Sequence, residues 1–172
     1  MNTSDRCRFG LYRLGPNDRA QFVDHLLLLD APARRRRFGI ALGDDAVRAI
    51  AQTMAFDELC WGLFVGGALK GTAMVLRSDA TSRRGEFAVS LDADLRGVGW
   101  GRLLLSTALE AAYQHGVELV DIHYLAENAP MARLCATLPG PLEAEQGERS
   151  KEVHLQPWAE AFFWQDSPTT QA

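Results

Sequence analysis

The chain alternates between two hydrophobic periods, and each period predicts an element. Phe9 to Leu14 is a short run that predicts a first strand. Gly15-Pro16-Asn17-Asp18 is turn chemistry with a helix cap. Phe22, Val23, Leu26 and Leu29 recur at helical spacing until Pro32 interrupts the pattern, and a second helical segment is expected over Asp45 to Met54. From Leu59 the period changes. Leu59–Val65 and Ala68–Leu76 flank Gly66-Gly67 and read as a hairpin, and Arg83-Arg84-Gly85 closes a polar loop. Glu86-Phe87-Ala88-Val89-Ser90-Leu91 then alternates strictly. Phe87, Val89 and Leu91 share one face of that strand; Glu86, Ala88 and Ser90 share the other.

A glycine-rich turn leads into a helix from about Gly99 to His115. Its apolar stripe is Leu104, Leu105, Ala108, Leu109 and Ala112, and Gly116 sits at the terminator position. Glu118–Leu125 is another strand. Asn128 starts a short helix with the stripe Met131, Leu134, Cys135 and Leu138. Leu142–Gln146 and Lys151–Gln156 form a last hairpin around Gly147. The order is strand, two helices, three strands, helix, strand, helix, two strands. That is an α/β fold with a mixed sheet, because hairpins force antiparallel pairs and a strand–helix–strand crossover favours a parallel one.

Composition narrows the class. The 172 residues suit one domain, expected over 1–165, with a polar, disordered tail over 166–172. A hydrophobic fraction of 47% and a charged fraction of 23% exclude a disordered chain and a disulfide-stapled mini-protein. The net charge of −4 argues against a nucleic-acid partner. Cys7, Cys60 and Cys135 are far apart, and His25, His115, His123 and His154 show no ligand spacing, so no metal site is expected. Free cysteines, and an N-terminus without a long apolar stretch, lead to a cytoplasmic reading with no membrane span.

The informative segment is Leu95-Arg96-Gly97-Val98-Gly99-Trp100-Gly101-Arg102, between a strand and a helix. Three alternate glycines let the backbone approach a ligand and aim successive N–H groups at it. The helix adds unpaired N–H groups and the positive end of its dipole. Arg96 and Arg102 bracket the turn, so its natural guest is a pyrophosphate, although glycines also make plain tight turns. The glycine spacing departs from the Gly-x-Gly-x-x-Gly of dinucleotide-binding proteins.

Arg-x-x-Gly-x-Gly at Arg96, Gly99 and Gly101 resembles the acyl-CoA signature of the GNAT superfamily of N-acyltransferases. A Glu-bearing strand precedes the turn, and Glu127-Asn128-Ala129-Pro130-Met131-Ala132-Arg133-Leu134 resembles the family's Asn-led helix. The Asn-x-x-Met form, with Arg34-Arg35-Arg36-Arg37-Phe38 upstream, is similar to the GNAT domains of bacterial protein-lysine acetyltransferases. The resemblance implies a mixed, mostly antiparallel sheet with a central parallel pair, flanked by about four helices. It implies acetyl-CoA (coenzyme A) as co-substrate. Backbone groups of Val89 and Leu91 would hold the pantetheine, and Arg96, Gly97, Val98, Gly99, Trp100, Gly101 and Arg102 would wrap the pyrophosphate. Asn128 would bond the pantetheine, although it is also a good N-cap.

Amide formation needs a neutral amine, so a base must take a proton. Glu86 stands where the resembling enzymes carry a glutamate base, and partial burial would raise its pKa toward a useful range. A backbone N–H near Val89 would steady the thioester oxygen. Many family members place a tyrosine acid where this chain has Cys135; a thiol can serve, yet cysteine on an apolar stripe is more often buried. Leu138-Pro139-Gly140 also departs from the family's Leu-Gly-Phe, which puts the neighbouring acceptor pocket in question. His123 is an alternative base, and Tyr124 is expected in the core. The Arg34–Arg37 run reads as a solvated helix face or loop, with attraction of an acidic substrate or nucleic acid as the alternative. Trp61, Trp158, Phe162, Phe163 and Trp164 read as packing groups. The expected function is acetyl transfer to a primary amine, on a small molecule or a protein lysine, by direct attack in a ternary complex. A non-catalytic acyl-CoA-binding module is the alternative, and a homodimer stays open.

Overall fold

A computed structural model describes residues 9–56 and 59–155. Cys7, Gln156, Trp158, Phe162, Phe163, Trp164 and the tail lie outside the described residues. In chain order the elements are β1 (Phe9–Arg13), α1 (Arg19–Leu28), α2 (Ala31–Phe38), α3 (Asp44–Thr53), β2 (Cys60–Val65), β3 (Ala68–Arg77), β4 (Arg84–Leu91), α4 (Trp100–Gln114), β5 (Leu119–Leu125), α5 (Ala129–Cys135), β6 (Leu142–Glu145) and β7 (Glu148–His154). The seven strands form one sheet in the order β1-β2-β3-β4-β5-β7-β6. Its neighbours pair antiparallel except β4 and β5, which are parallel. This is the mixed α/β sheet expected from the order of elements.

Among the described residues five α-helices flank the sheet, one more than the four read from the sequence. The extra one is α2. Pro32 does not simply end the preceding helix; it stands in the first turn of a new one. A proline there loses no helical hydrogen bond, because the first N–H groups have no intrahelical partner. The Asp30 side chain caps that turn by accepting the Ala33 N–H at 2.6 Å. Gly39, at φ +75°, ends it.

Alternation along the strands divides the interior into two layers. Phe87 on β4 and Val75 on β3 face α4, where Leu104, Leu105, Ala108 and Leu109 meet Val120 and Ile122 of β5 and Met131 and Cys135 of α5. Ala88 and Met74 face the opposite way, toward Phe22 and Leu26 of α1, Ala33 of α2, and Val47 and Ala51 of α3. The two faces of β4 therefore meet different helices, as its period of two requires. Tyr124 is buried in the core as expected, and Trp61 packs against it. At the Leu138-Pro139-Gly140 departure, Gly140 has φ +101° and its backbone lies against β7: a Cβ there would come 2.2 Å from the Glu152 carbonyl oxygen. The buried Lys151 ammonium donates to the Gly140 carbonyl at 2.8 Å, fixing the entry to the last hairpin. Among the described residues no helix is long and apolar enough to cross a membrane.

Candidate active site

The site begins where the parallel pair ends. β4 and β5 pair over Arg84↔Leu119, Gly85↔Val120 and Glu86↔Asp121, whereas β4 stays paired with β3 as far as Leu91↔Gly71. On the β5 side a fork therefore opens past Glu86. Arg84 staples the fork at its base, with Nε and Nη2 donating to the two Asp121 carboxylate oxygens at 2.5 and 2.6 Å. Its guanidinium is held above its ordinary pKa, first by the Asp121 hydrogen bond. Openings at the carboxyl ends of parallel strands are where α/β sheets take their ligands.

The polarity of the fork follows from one bond. The Asp92 N–H donates to the Lys70 carbonyl on β3 at 2.9 Å. Backbone groups alternate sides along a strand, so those of Ser90 and Ala88 also point to β3, while those of Val89 and Leu91 point into the fork. The Leu91 carbonyl accepts from Arg96 Nε at 3.0 Å. The Val89 N–H and C=O and the Leu91 N–H remain to pair with an extended guest, as an exposed strand edge pairs with an added strand.

Beyond Leu91 a short 3-10 turn, Ala93–Leu95, delivers the chain to the glycines. Gly97 and Gly99 have φ of +81° and +101°, a region that L side chains rarely adopt, so the turn needs glycine at both. Gly99 is also the N-cap of α4. Gly101 has an ordinary backbone, and a Cβ there would meet only Leu134 Cδ1, at 3.5 Å. The fold itself therefore does not require a glycine at 101. Arg96 Nη1 stands 3.9 Å from Asp30 Oδ2, linking the turn to the cap of α2.

A cavity of about 310 Å³ runs from this turn between α2 and α5. Of the residues singled out by sequence, Val89, Leu91, Arg96, Gly97, Gly99, Gly101, Arg102 and Asn128 line it. Val98 is 69% exposed, the Trp100 ring packs on Phe9 at 4.4 Å between centroids, and neither residue is in the cavity wall. Asn128 is buried and caps α5, its Oδ1 accepting the Met131 N–H at 3.3 Å. The cap uses the acceptor end of the amide and leaves the Nδ2 donor out of the cap, in a residue that lines the cavity.

Glu86 is on the expected face, at the last rung before the fork, but it is exposed and not in the cavity wall. The partial burial expected for it is not found. Cys135 is 2% exposed, packed into the core at the end of α5, and also absent from the wall. Burial pushes its thiol up to about 11, and the Tyr124 hydroxyl is its neighbour. His123 is exposed on β5, and Asp121 on the same face is engaged by Arg84.

Two groups escaped the sequence reading. The Arg34–Arg37 run is not a solvated face: Arg36 and Arg37 line the cavity, while Arg34 donates to the Leu27 carbonyl at 2.5 Å and to Asp44 at 2.6 Å. The second group is a buried polar chain beside Ser90. His25 Nε2 lies 2.8 Å from Ser90 Oγ, which is 2.7 Å from Thr72 Oγ1. His25 Nδ1 is 3.1 Å from Asp92 Oδ1, at ion-pair distance but off the line of a good hydrogen bond, and Lys70 Nζ donates to Asp92 Oδ2 at 2.8 Å. The chain ties α1 to the end of β4 that carries the turn. A histidine three positions after Phe22, on the apolar stripe of α1, was the available signal.

Burial pulls the Asp92 carboxyl upward, but the close His25 imidazole and the Lys70 hydrogen bond outweigh it and hold the group below the usual carboxylate range. A depressed folded pKa gives stability that is fully present above the ordinary carboxylate value of about 4 and is lost as pH falls through the folded one. Asp92→Asn should therefore cost about 1–3 kcal/mol at pH 7. Urea unfolding at pH 7 and at pH 3 checks this: the deficit of the variant is expected to shrink at the lower pH.

Residues 23–138 match the family model described as Acetyltransferase (GNAT) family. Similar solved structures include the GNAT domain of S. lividans PAT, at TM-score 0.70 and 15% identity, covering 85% of this chain and 90% of that one. Another is yncA, a putative acetyltransferase from Salmonella typhimurium with its cofactor acetyl-CoA, at TM-score 0.63 and 18% identity over 87% of this chain and 95% of that one. The paia N-acetyltransferase from Thermoplasma acidophilum, in complex with coenzyme A, gives TM-score 0.62 and 12% identity over 85% of this chain and 98% of that one. No curated protein sequence matches. These structures share the fold of this chain. The chain belongs to the GNAT acetyltransferase family, and its enzyme class is acetyl-CoA-dependent N-acetyltransferase.

Proposed function

We propose that this protein moves the acetyl group of acetyl-CoA onto a primary amine, of a small molecule or a protein lysine, by direct attack within a ternary complex. The observation that carries the reading is the continuity of the fork with the turn: unpaired strand backbone at Val89 and Leu91 runs straight into positive-φ glycines and the start of α4. A pantetheine arm needs amide partners spaced along an edge, and its diphosphate needs converging N–H groups and cations. Bound acetyl-CoA in yncA and coenzyme A in paia support the same assignment here.

In this reading Val89 and Leu91 hold the pantetheine. Residues Arg96, Gly97, Val98, Gly99, Trp100, Gly101 and Arg102 hold the diphosphate, and Asn128 Nδ2 donates to the arm. The Val89 N–H steadies the negative charge that develops on the thioester oxygen. Glu86, exposed at the mouth of the fork, takes the amine proton directly or through one water. The nitrogen lone pair then attacks the carbonyl carbon, the C–S bond breaks, and the thiolate leaves. Its proton is the second one released by the attacking nitrogen, relayed through water; Cys135, buried outside the cavity wall with its thiol pushed up to about 11, is the poorer donor.

The test pairs calorimetric titration of acetyl-CoA with thiol release over amines, amino acids, aminoglycosides and lysine peptides. Binding with amine-dependent thiol release is expected. Binding without release for every amine identifies a non-catalytic acyl-CoA module, and absence of binding overturns the assignment.

A further inference from the structure

Among the described residues Arg37 has no anion at ion-pair distance. On the same helix Arg34 pairs with Asp44 and Arg35 with Glu127 at 3.5 Å, while Arg36 lines the cavity beside it. Arg37 instead has its Nη2 3.6 Å from the Met74 thioether, and its Nε is buried with no partner. Its guanidinium lies 5.1 Å over the ring of its own neighbour, Phe38. Among the described residues no carboxylate comes within ion-pair distance of it. A thioether is a weak acceptor, and a desolvated charge left unpaired is expensive. Burial pushes this guanidinium down to about 10, against the partial support of the Glu86 charge.

Its position narrows what the missing anion is. Met74 lies opposite Ala88, and the next rung on that face is Leu76 opposite Glu86. The guanidinium therefore sits on the Glu86 face of the sheet, near the base of the fork. From Ala88 the strand runs about 10 Å further to Leu91 before the glycine turn even begins. The negative charges of acetyl-CoA sit at its diphosphate end, and its thioester end carries none. An anion at Arg37 must then arrive with the other substrate. The residue also lines the cavity, so a ligand can reach it.

We propose that Arg37 binds a carboxylate of the acceptor, which makes the acceptor a small amino-carboxylate whose amine is presented to Glu86. This deepens the acetyl-transfer reading and rests on it. The planar fork of a guanidinium matches a carboxylate through two parallel N–H···O bonds, and the pair would satisfy the Nε that has no partner in the protein. The amine and carboxylate of one small molecule would then span from Glu86 to Arg37.

Matched acceptors test it: lysine against cadaverine, free amino acids against their amides, and a lysine peptide with both termini capped. Thiol release gives kcat and KM for each, with the wild-type protein, R37Q and R37K. The carboxylated member of each pair should be preferred by about 100-fold in kcat/KM. R37Q should collapse that preference through KM, and R37K, which keeps the charge but not the fork, should retain part of it. The wild-type preference stands without any variant if R37Q does not fold. Neutral amines or the capped peptide performing as well as amino-carboxylates would overturn the proposal while leaving acetyl transfer intact. So would an R37Q loss in kcat that is equal for every acceptor, which would assign Arg37 to Glu86. Acetyl-CoA binding with no thiol release for any amine would remove the transferase reading and this one with it.

Discussion

Replacing Glu86 by glutamine should lower kcat by about 10²–10⁴-fold, the usual contribution of a general base, while the affinity for acetyl-CoA holds. The substitution keeps size and hydrogen-bonding shape and removes only the ability to take a proton. The location explains the selectivity of the effect. Glu86 occupies the last β4–β5 rung and is absent from the cavity wall, so it contributes little to holding the cofactor. It is nonetheless the first side chain an amine meets on that face, since Ala88 is small. Asp121 cannot substitute, because both of its oxygens are taken by Arg84. His123 is the other basic group on β5, and its exposed ring makes it the control. Steady-state thiol release with E86Q and H123A, beside calorimetric titration of acetyl-CoA, separates the two. Retained turnover in E86Q with a loss in H123A would move the base to β5.

Gly101→Val should weaken acetyl-CoA binding by about 100-fold or more with little loss of fold stability. The expectation follows from an asymmetry among the three glycines. Gly97 and Gly99 sit at positive φ, where any side chain strains the backbone by about 1–3 kcal/mol. A loss of binding in those variants would mix two causes. Gly101 has no such constraint, and its Cβ would make only an ordinary contact with Leu134 Cδ1. The bulk of a valine would therefore be felt by whatever ligand lies against the first turn of α4. A seat that costs two or three hydrogen bonds to a charged group accounts for a loss of this size. Calorimetric titration measures the binding, and thermal unfolding without ligand supplies the control. Unchanged affinity would mean that no ligand approaches this backbone.

The parts of this molecule that sequence reveals are those fixed by local periodicity or by backbone need. Strict alternation over 86–91 placed Glu86 opposite Val89 because β4 is buried on one face by α4 and covered on the other by α1 and α2. The glycine turn was legible because Gly97 and Gly99 adopt conformations that their residue type permits at low cost. The α1–α2 region was less so. Pro32 carries the same letter whether it ends a helix or opens one, and the difference lies in the Asp30 cap. A stretch of four arginines has no apolar period to show which of them turns inward. That choice is made by Met74 on β3, distant in the chain. His25 likewise stood on a helical stripe, but Ser90 and Asp92 are its partners only because α1 packs on β4. The burial expected for Glu86 failed for the converse reason: alternation sets the face of a residue, not how much of it is covered.

Hydrogen–deuterium exchange of the protein with and without acetyl-CoA tests the central claim most directly, because it reads the backbone amides said to do the binding. Slowed exchange should appear in two stretches, at Val89 and Leu91 along the open edge of β4 and at 97–103 in the turn and first turn of α4. Acetyl-CoA that leaves both stretches unchanged, or that protects amides elsewhere on the sheet, would contradict the account.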